Sequence, residues 1–431
     1  VQTLTDNQYR NSLYSRLNLS GKVSAVRSLG NNLFLVPSMR VVMDRETSDR
    51  KQGPQSDETL ITDSLSPAFS RNVMEWQPGL QLRRNKKLVQ WNISLDYDQL
   101  SLNPVLNGTV LAGRSYQYLL PSASWQKDLG TGQRLSLNYR TDVNAPSAGQ
   151  LLPVKDYQNP LMLTSGNTGL KPEYKHDLSL NYNRFDQFSM SSFFVMLSGQ
   201  YTSDKIDWNR VVRPDLSQEL AMANTPYAAQ SRLSTQYARP VRKLGIHASL
   251  GFTEMYTRSV SMVNAVSNTN NSFSHVVDLD VHNLNNDVLD VRMGGRVEFS
   301  SARYSINREL NNNYVNYSVN ARVNFRPSAT WNFLLSGDLT HYTARSFDAP
   351  VTVPLLRAEV SRYIFPNQRG TITLRGFDLL DKNRSVQRSS QLNYLMEQRS
   401  NVIGRYFMLS FAYKLNRSGS KGNSMGGIEI H

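Results

Sequence analysis

The sequence predicts an all-β protein, a transmembrane antiparallel β-barrel, and three observations lead to this fold class. Apolar and polar residues alternate with a period of two over many long segments. The longest apolar run is Phe193 to Leu197, far short of the roughly 20 apolar residues that a transmembrane helix needs. Short polar turns alternate with longer polar segments, as expected where short periplasmic turns and long extracellular loops join the strands of an outer-membrane barrel.

The alternation is clearest between Tyr314 and Phe325. Apolar and aromatic residues occupy every second position from Val315 to Phe325, and Asn, Ser and Arg occupy the positions between them. Because successive side chains of a strand point to opposite faces, this segment is predicted to lie between an apolar and a wet environment. The same period recurs in residues 89–97, 135–139, 178–182, 246–252, 289–299 and 407–415.

A soluble β-sandwich would alternate in the same way, so the lengths of the strands matter. The predicted strands commonly have about 12 to 18 residues, whereas strands of soluble proteins average five or six. Tyr and Trp also concentrate near the ends of the apolar stretches, where the interfacial girdles of a membrane barrel lie. Both observations favour the membrane barrel.

Turn lengths predict the topology. Tight connections fall at residues 28–32, 85–87, 130–132, 186–187, 242–244, 283–286, 327–330 and 366–370. Longer segments fall at residues 49–67, 102–114, 142–173, 206–230, 261–271, 307–311, 345–353 and 380–397. The count is about 17 strands, and single-chain bacterial barrels have an even number. We therefore expect further strands before Val1, unless the count is wrong by one.

Composition excludes several classes of function. The chain has no Cys, so neither a disulfide nor a Cys-ligated metal site is expected. Its 48 Lys and Arg residues exceed its 34 Asp and Glu residues by 14, which gives a net charge of +14, but they form no dense run. This indicates a generally basic surface and no nucleic-acid partner. No motif nominates a Ser nucleophile with a His base, so we predict no catalytic residues, no enzymatic activity and no cofactor.

Seven polar residues are predicted to face the lumen: Asp96, Asp278, Asp280, His282, Arg292, Arg296 and Arg322. Asp278, Asp280 and His282 share one strand face, with His275 nearby, and such a row has the oxygen and nitrogen ligands of a divalent ion. The alternative is a lumen wall in which the carboxylates lie beside inward arginines. We favour the wall and predict no metal site.

The longest predicted loops are the expected external contact surface, because binding residues are commonly found on loops. Five apolar or aromatic residues in or around the segments 142–173 and 206–230 are candidates to bind a ligand or a surface lipoprotein: Leu151, Tyr157, Leu161, Trp208 and Tyr227. Packing of the loops on each other is an equally good interpretation for any single one of them.

Several segments resemble the outer-membrane β-barrel family that is common in Bacteroidota and related to TonB-dependent transporters. The resemblance lies in residues 139–146, 150–153 and 159–161 and in the motif from Gly166 to Glu173, in which Thr168 replaces the family's usual Pro. The motif residues are Gly166, Asn167, Leu170, Lys171, Pro172 and Glu173. Residues 370–380 and 405–415 resemble the last two strands of the family.

The resemblance implies more than the residues themselves show. Members typically carry an N-terminal plug and a segment that engages TonB, and a plugged lumen is found in barrels of 22 strands. By this count about five strands and the plug would precede Val1. The visible chain would then be the C-terminal part of a barrel, residues 1–416, followed by a Gly/Ser-rich periplasmic tail, residues 417–431.

Two functions are compatible with these expectations. The first is energised uptake of a bulky nutrient, such as a glycan, a peptide or a metal chelate, through a plugged lumen. The second is a structural or accessory subunit of an outer-membrane complex that does not transport. The expected partners are outer-membrane lipid and lipopolysaccharide, and also a plug, TonB, a surface lipoprotein or other subunits. The tail is interpreted either as a flexible end or as a docking segment.

Overall fold

The computed structural model describes residues 8–54, 61–157, 159, 161–215, 217–284, 286–306, 308–343, 350–383, 385–391, 394–400 and 402–415. The predicted tail, residues 417–431, lies outside these residues. Most of the described chain is β-strand, as the period-two alternation predicts.

The first half of the chain contains the strands β1 (Gln8–Ser24), β2 (Arg27–Gly30), β3 (Leu33–Pro54), β4 (Ala68–Asn85), β5 (Val89–Leu106), β6 (Thr109–Val110), β7 (Arg114–Gly130), β8 (Gln133–Asn144), β9 (Met162–Ser165), β10 (Glu173–Asp186) and β11 (Ser191–Val212). A four-residue helix, α1 (Ala148–Leu151), lies between β8 and β9. None of the described helices is long and apolar enough to cross a lipid bilayer.

The second half contains the strands β12 (Gln218–Val241), β13 (Ile246–Val263), β14 (Val266–Asn283), β15 (Leu289–Tyr304), β16 (Asn312–Ser328), β17 (Trp331–Tyr342), β18 (Val351–Ile364), β19 (Gly370–Phe377), β20 (Ser385–Gln391), β21 (Tyr394–Ser400) and β22 (Tyr406–Tyr413). Short 3-10 turns occupy Asp63–Leu65, Arg242–Leu244, Arg308–Leu310 and Pro366–Gln368.

Twenty of these strands form one sheet, and β20 and β21 form a separate hairpin. If the short β6 and β9 are left out and β1 and β2 are counted as one edge strand, 17 strands remain, each antiparallel to the next. Each predicted tight turn joins two of these neighbours, which confirms the predicted positions of the tight turns. Among the described residues, no pairing connects β22 with β1 or β2.

The two faces of the sheet differ in chemistry. On β14, Phe273, Val277 and Leu279 are 37%, 40% and 50% exposed, and Asp278 and Asp280 occupy the opposite face. Large apolar side chains with this exposure recur along the same face of the other strands. In a membrane barrel that face meets lipid and the polar face meets the lumen.

Aromatic side chains form two belts on the apolar face. One belt lies near the short turns, and we call it the periplasmic belt after the side predicted for those turns. In it, the ring centroid of Phe193 lies 6.1 Å from that of Tyr182 and 6.4 Å from that of Tyr237. An extracellular belt includes Tyr201 and Tyr227, whose rings stack at 5.9 Å. Phe193 and Tyr201 are eight positions apart on β11, or roughly 27 Å along the strand. Strand tilt shortens this distance, and the result is close to the apolar band of a membrane barrel.

Some of the predicted loops are largely strand, among them residues 261–271, where only Asn264 and Ala265 separate β13 from β14. The sequence also predicts a long loop over residues 206–230, but β11 and β12 continue through most of this segment as a paired hairpin that reaches Val212 and Gln218. Alternation fades there because both faces of the hairpin lie outside the apolar band, so the period-two signal does not mark the ends of these strands.

Candidate functional site: the inner face and the extracellular mouth

All seven residues predicted to face the lumen lie on the polar face of the sheet. Register pairs Asp278 with Arg296, His282 with Arg292, and Arg292 with Arg322, and cross-strand partners share a face. Asp96 lies on the same face of β5, opposite Gly79 of β4. The structure therefore brings six of the seven onto the adjacent strands β14, β15 and β16, with Asp96 on a separate part of the wall.

The charges on this part of the wall are partly paired. Arg296 Nη1 lies 3.3 Å from Asp278 Oδ1, and the two side chains remain 53% and 43% exposed. His282 Nδ1 lies 3.5 Å from Asp280 Oδ1, and its ring stacks on His247 at 4.8 Å. Within the described residues, no group of three Asp, Glu or His side chains has an arrangement that would hold a metal ion. These side chains form a hydrated, charged surface.

The segment between β8 and β10, residues 145–172, covers the extracellular part of the inner face. Its helix α1 begins at a capping box in which the Ser147 hydroxyl accepts the Gln150 N–H and the Gln150 side chain accepts the Ser147 N–H. Leu151 and Leu170 have no exposed surface and belong to a buried cluster with Phe69, Leu100 and other inward residues of the wall. We call the described part of residues 145–172, which leaves out residues 158 and 160, the mouth segment.

A cluster of four charged side chains, three of them buried and Arg16 about half exposed, binds the mouth segment to β3 and β4. Arg71 forms ion pairs with Asp44 and Glu46, and Arg16 Nε lies 2.9 Å from Asp44 Oδ1. Glu46 Oε2 accepts a hydrogen bond from the Ala148 N–H at 2.7 Å, at the start of α1. Arg71 also donates to the carbonyl oxygen of Pro146 at 2.9 Å. The cluster thus replaces solvent for the first turn of the helix.

The six motif residues fasten the other end of the mouth segment. The Gly166 and Asn167 N–H groups donate to the carbonyl oxygens of Leu152 and Gln150, both at 2.8 Å. The Lys171 N–H donates to Asn224 Oδ1 at 2.8 Å.

The last motif residues are held by burial and by charge. Leu170 and Pro172 are fully buried. Glu173 accepts hydrogen bonds from Lys205 Nζ at 2.6 Å and from the Ile206 N–H at 2.9 Å. The motif is therefore a structural attachment to the β11–β12 hairpin.

Two consecutive residues of the mouth segment show that the wall is curved. Asp156 accepts two hydrogen bonds from Arg10 of β1, at 2.8 and 2.9 Å. Lys155 Nζ lies 2.9 Å from Glu219 Oε1 of β12. In a flat sheet, the seven strands between β1 and β12 would hold them roughly 38 Å apart. Consecutive residues cannot span that gap, so the polar face is concave, as in a barrel.

The extracellular end of the hairpin continues this covering. β9 of the mouth segment pairs in parallel with the start of β12, and the end of β11 pairs in parallel with β13. At the tip, the Ser217 hydroxyl and N–H donate to Asp215 Oδ1 at 2.7 and 3.0 Å. These hydrogen bonds lower the pKa of the exposed Asp215 carboxyl from its ordinary value. The tip is thus joined to the mouth segment through the pairing of β9 with β12.

The five loop candidates occupy different environments. Tyr157 and Leu161 are 46% and 67% exposed and remain available to a partner, and Trp208 is half-buried in β11. Leu151 is wholly buried, which corrects its assignment to an external contact surface. Tyr227 lies in β12 within the extracellular belt, where Arg258 sits 5.7 Å from its ring centroid. It faces the lipid side and not a loop surface.

Sequence reasoning missed the charge cluster of Arg16, Asp44, Glu46 and Arg71. A signal was present, because Asp44 and Glu46 are two positions apart and so share one face of β3. It was weak, because inward carboxylates are expected throughout a polar lumen. Only the approach of α1 distinguishes these two from the rest.

The sequence matches the outer membrane protein beta-barrel family over residues 64–413. The chain belongs to this family and is an outer-membrane protein of a Gram-negative bacterium. No curated protein matches the sequence.

Three solved structures show a distant likeness. The ferric yersiniabactin uptake receptor FyuA of Yersinia pestis is 11% identical, with a TM-score of 0.42, over 95% of this chain and 63% of that one. The siderophore receptor PirA of Pseudomonas aeruginosa is 9% identical, with a TM-score of 0.34, over 96% of this chain and 81% of that one. The outer membrane transporter YddB of Escherichia coli is 10% identical, with a TM-score of 0.30, over 92% of this chain and 75% of that one. This chain thus spans less than two thirds of FyuA, and we take no functional argument from likenesses this weak.

Proposed function

We propose that this protein is a TonB-dependent-type transporter that takes up a bulky nutrient across the outer membrane. The observation that supports it best is the polar face of β14, β15 and β16, where paired charges such as Asp278 and Arg296 stay about half exposed. A wall that only needed stability would gain little from such pairs, since exposed ion pairs contribute about 0–1 kcal/mol. A hydrated path for a polar substrate explains them.

The covered mouth fits the same proposal. A barrel wide enough for a glycan, a peptide or a metal chelate has to be closed to other solutes, and the mouth segment closes part of its outer opening. Further closure would come from a plug and a TonB-engaging segment in a longer form of the protein, as the sequence resemblance to barrels of Bacteroidota implies. Exposed Tyr157 and Leu161 would contact the substrate or a lipoprotein lid.

The second candidate is an accessory barrel that does not transport. The observation that favours it is the buried cluster of Phe69, Leu100, Leu151 and Leu170, which fills the extracellular part of the inner face beside β4 and β5. A permanently filled mouth would suit a barrel that serves as a platform for other outer-membrane subunits.

Uptake by intact cells distinguishes the two candidates. Cells that carry or lack this protein would be given radiolabelled iron chelates, peptides and oligosaccharides, with and without a working TonB. We expect uptake of at least one class that needs both proteins. The D278A/R296A variant should reduce this uptake, whereas D128A/R134A, which removes an exposed pair at the β7–β8 turn, should not. If no class depends on the protein and it co-purifies in a stable complex, the accessory role is correct.

A further inference from the structure

Two arginines lie at the same level on the lipid-facing side of the wall. Register places Arg258 of β13 opposite Asn271 of β14, and Asn271 opposite Arg303 of β15. All three therefore share a face. It is the face that carries Phe273, because Phe273 is two positions from Asn271 on β14. Arg258, Asn271 and Arg303 form what we call the arginine patch.

The patch lies at the extracellular belt. Arg258 sits over the Tyr227 ring at 5.7 Å, and the Tyr256 ring contacts the Phe273 ring at 4.6 Å. Aromatic side chains of this kind mark the interface between the acyl chains and the head groups of a membrane. The apolar side chains on the periplasmic side of the patch continue toward the centre of the band, with Leu250 and Leu279 53% and 50% exposed. A lipid beside the wall would thus meet apolar surface first and the arginines at its head group.

The charges of the patch are not neutralised by the wall. Arg258 and Arg303 are both exposed, and no carboxylate of the described residues forms an ion pair with either. Glu254 is an acidic residue near the patch on this face, and its carboxylate already contacts the His275 ring. Two guanidinium groups at a lipid interface without a protein counter-ion need an anion from elsewhere, since guanidinium groups bind phosphate strongly.

The spacing suits a ligand with more than one phosphate. One strand separates β13 from β15 at this level, so the two arginine backbones are roughly 9 to 10 Å apart. Between them, Asn271 Oδ1 accepts a hydrogen bond from the Tyr256 hydroxyl at 3.0 Å, which orients the amide and leaves its N–H groups available to an acceptor. The patch therefore presents donors from two cations and an amide along one line at the membrane surface.

We infer that the arginine patch binds the phosphorylated head group of a glycolipid of the outer leaflet, that is, the phosphates of lipid A in lipopolysaccharide. The apolar face next to the patch would hold the acyl chains, and Arg258, Asn271 and Arg303 would hold the phosphates. This site is on the outside of the wall and is independent of the transport proposed for the inside. It would fix one lipid beside β13, β14 and β15.

The test compares lipid binding by three variants of the full chain, purified in detergent. R258Q/R303Q removes both patch charges. The matched control R184Q/R239Q removes two exposed arginines from the same face at its periplasmic end. Register places Arg184 opposite Phe193, and Arg239 is two positions from Tyr237, so both arginines lie at the periplasmic belt. R258K/R303K keeps the charges. Folding of each variant is checked by its heat-dependent migration in gels, and binding is measured by native mass spectrometry during titration with lipid A.

We expect R258Q/R303Q to bind bisphosphorylated lipid A at least about tenfold more weakly than the unmodified chain, because two charge-assisted contacts are lost. The control should bind normally, R258K/R303K should keep most of the affinity, and dephosphorylated lipid A should bind the unmodified chain about as weakly as the Gln variant binds lipid A. Equal binding by all variants would refute the site. So would an equal loss in the control, or displacement of lipid A by inorganic phosphate at the same concentration.

Discussion

At the scale of single residues, the charge cluster beside α1 is the part of the inner face where charges are buried at the greatest cost in free energy. The side chains of Arg71, Asp44 and Glu46 are 4%, 7% and 3% exposed, so three charged groups are nearly removed from water. Burial of charges is costly unless each one is paired and hydrogen-bonded. The Ala148 N–H and the Pro146 carbonyl supply two of the remaining hydrogen bonds, so the cluster and the mouth segment need each other.

Replacement of Arg71 by Ala should lower the free energy of unfolding by about 3–5 kcal/mol, because Asp44 and Glu46 then stay buried with Arg16 as their remaining cation. Unfolding by urea in detergent measures this change. The control is Arg134→Ala, which breaks an exposed pair with Asp128 and should cost no more than about 1 kcal/mol. Similar losses in the two variants would show that the cluster adds nothing through its burial.

Gly166 is the other residue on which the mouth segment depends. A Cβ atom at this position would lie 2.5 Å from the carbonyl oxygens of both Gln150 and Leu152. These are backbone atoms at the C-terminal end of α1, so Gly166→Ala should displace the segment and cost about 1–3 kcal/mol. Gly149→Ala is the control, because a Cβ there meets nothing within 4 Å. Protease cleavage between residues 145 and 172 should rise in the first variant and stay unchanged in the second.

At the scale of elements, the local sequence predicts the positions of the strands, but it does not predict the conformation of the mouth segment. Each strand carries its own period-two signal, and each tight turn carries polar residues, so the order of the wall strands is predictable without tertiary information. The conformation of residues 145–172 rests instead on contacts between distant parts of the chain, such as Ala148 with Glu46 and Asp156 with Arg10. No local pattern encodes these contacts, so the sequence predicts Leu151 as an exposed loop residue although it is buried.

The mouth segment should loosen when its apolar anchor is removed. Leu170 is fully buried among Leu100, Leu151 and their neighbours, and truncation to Ala leaves a cavity that costs about 2–5 kcal/mol. Amide hydrogen exchange of α1 should then accelerate, since exchange reports local opening. Leu161→Ala, at a position that is 67% exposed, should leave the exchange unchanged. Equal exchange in the two variants would mean that the segment is held by its polar contacts alone.

At the scale of the whole molecule, the same sheet has to satisfy lipid on one side and water on the other. Curvature, the two aromatic belts and the burial pattern agree on which side is which: the mouth segment lies on the concave polar face, and the belts lie on the convex apolar face. The membership of the chain in an outer-membrane barrel family requires the same arrangement. Two neighbouring residues on one strand should therefore respond in opposite ways to the same charge.

Leu197 and Ser198 of β11 provide that comparison. Leu197 lies midway between Phe193 and Tyr201 of the two belts and is 44% exposed on the apolar face, whereas Ser198 points to the polar face. A Lys at the middle of the lipid-facing band costs about 2–4 kcal/mol, and a Lys in a hydrated lumen costs far less. Leu197→Lys should therefore lower the free energy of unfolding in lipid vesicles by that amount, and Ser198→Lys should leave it nearly unchanged. The reverse order would mean that the faces are assigned the wrong way round, and the lipid site at Arg258 and Arg303 would then be wrong as well, because it depends on the same assignment.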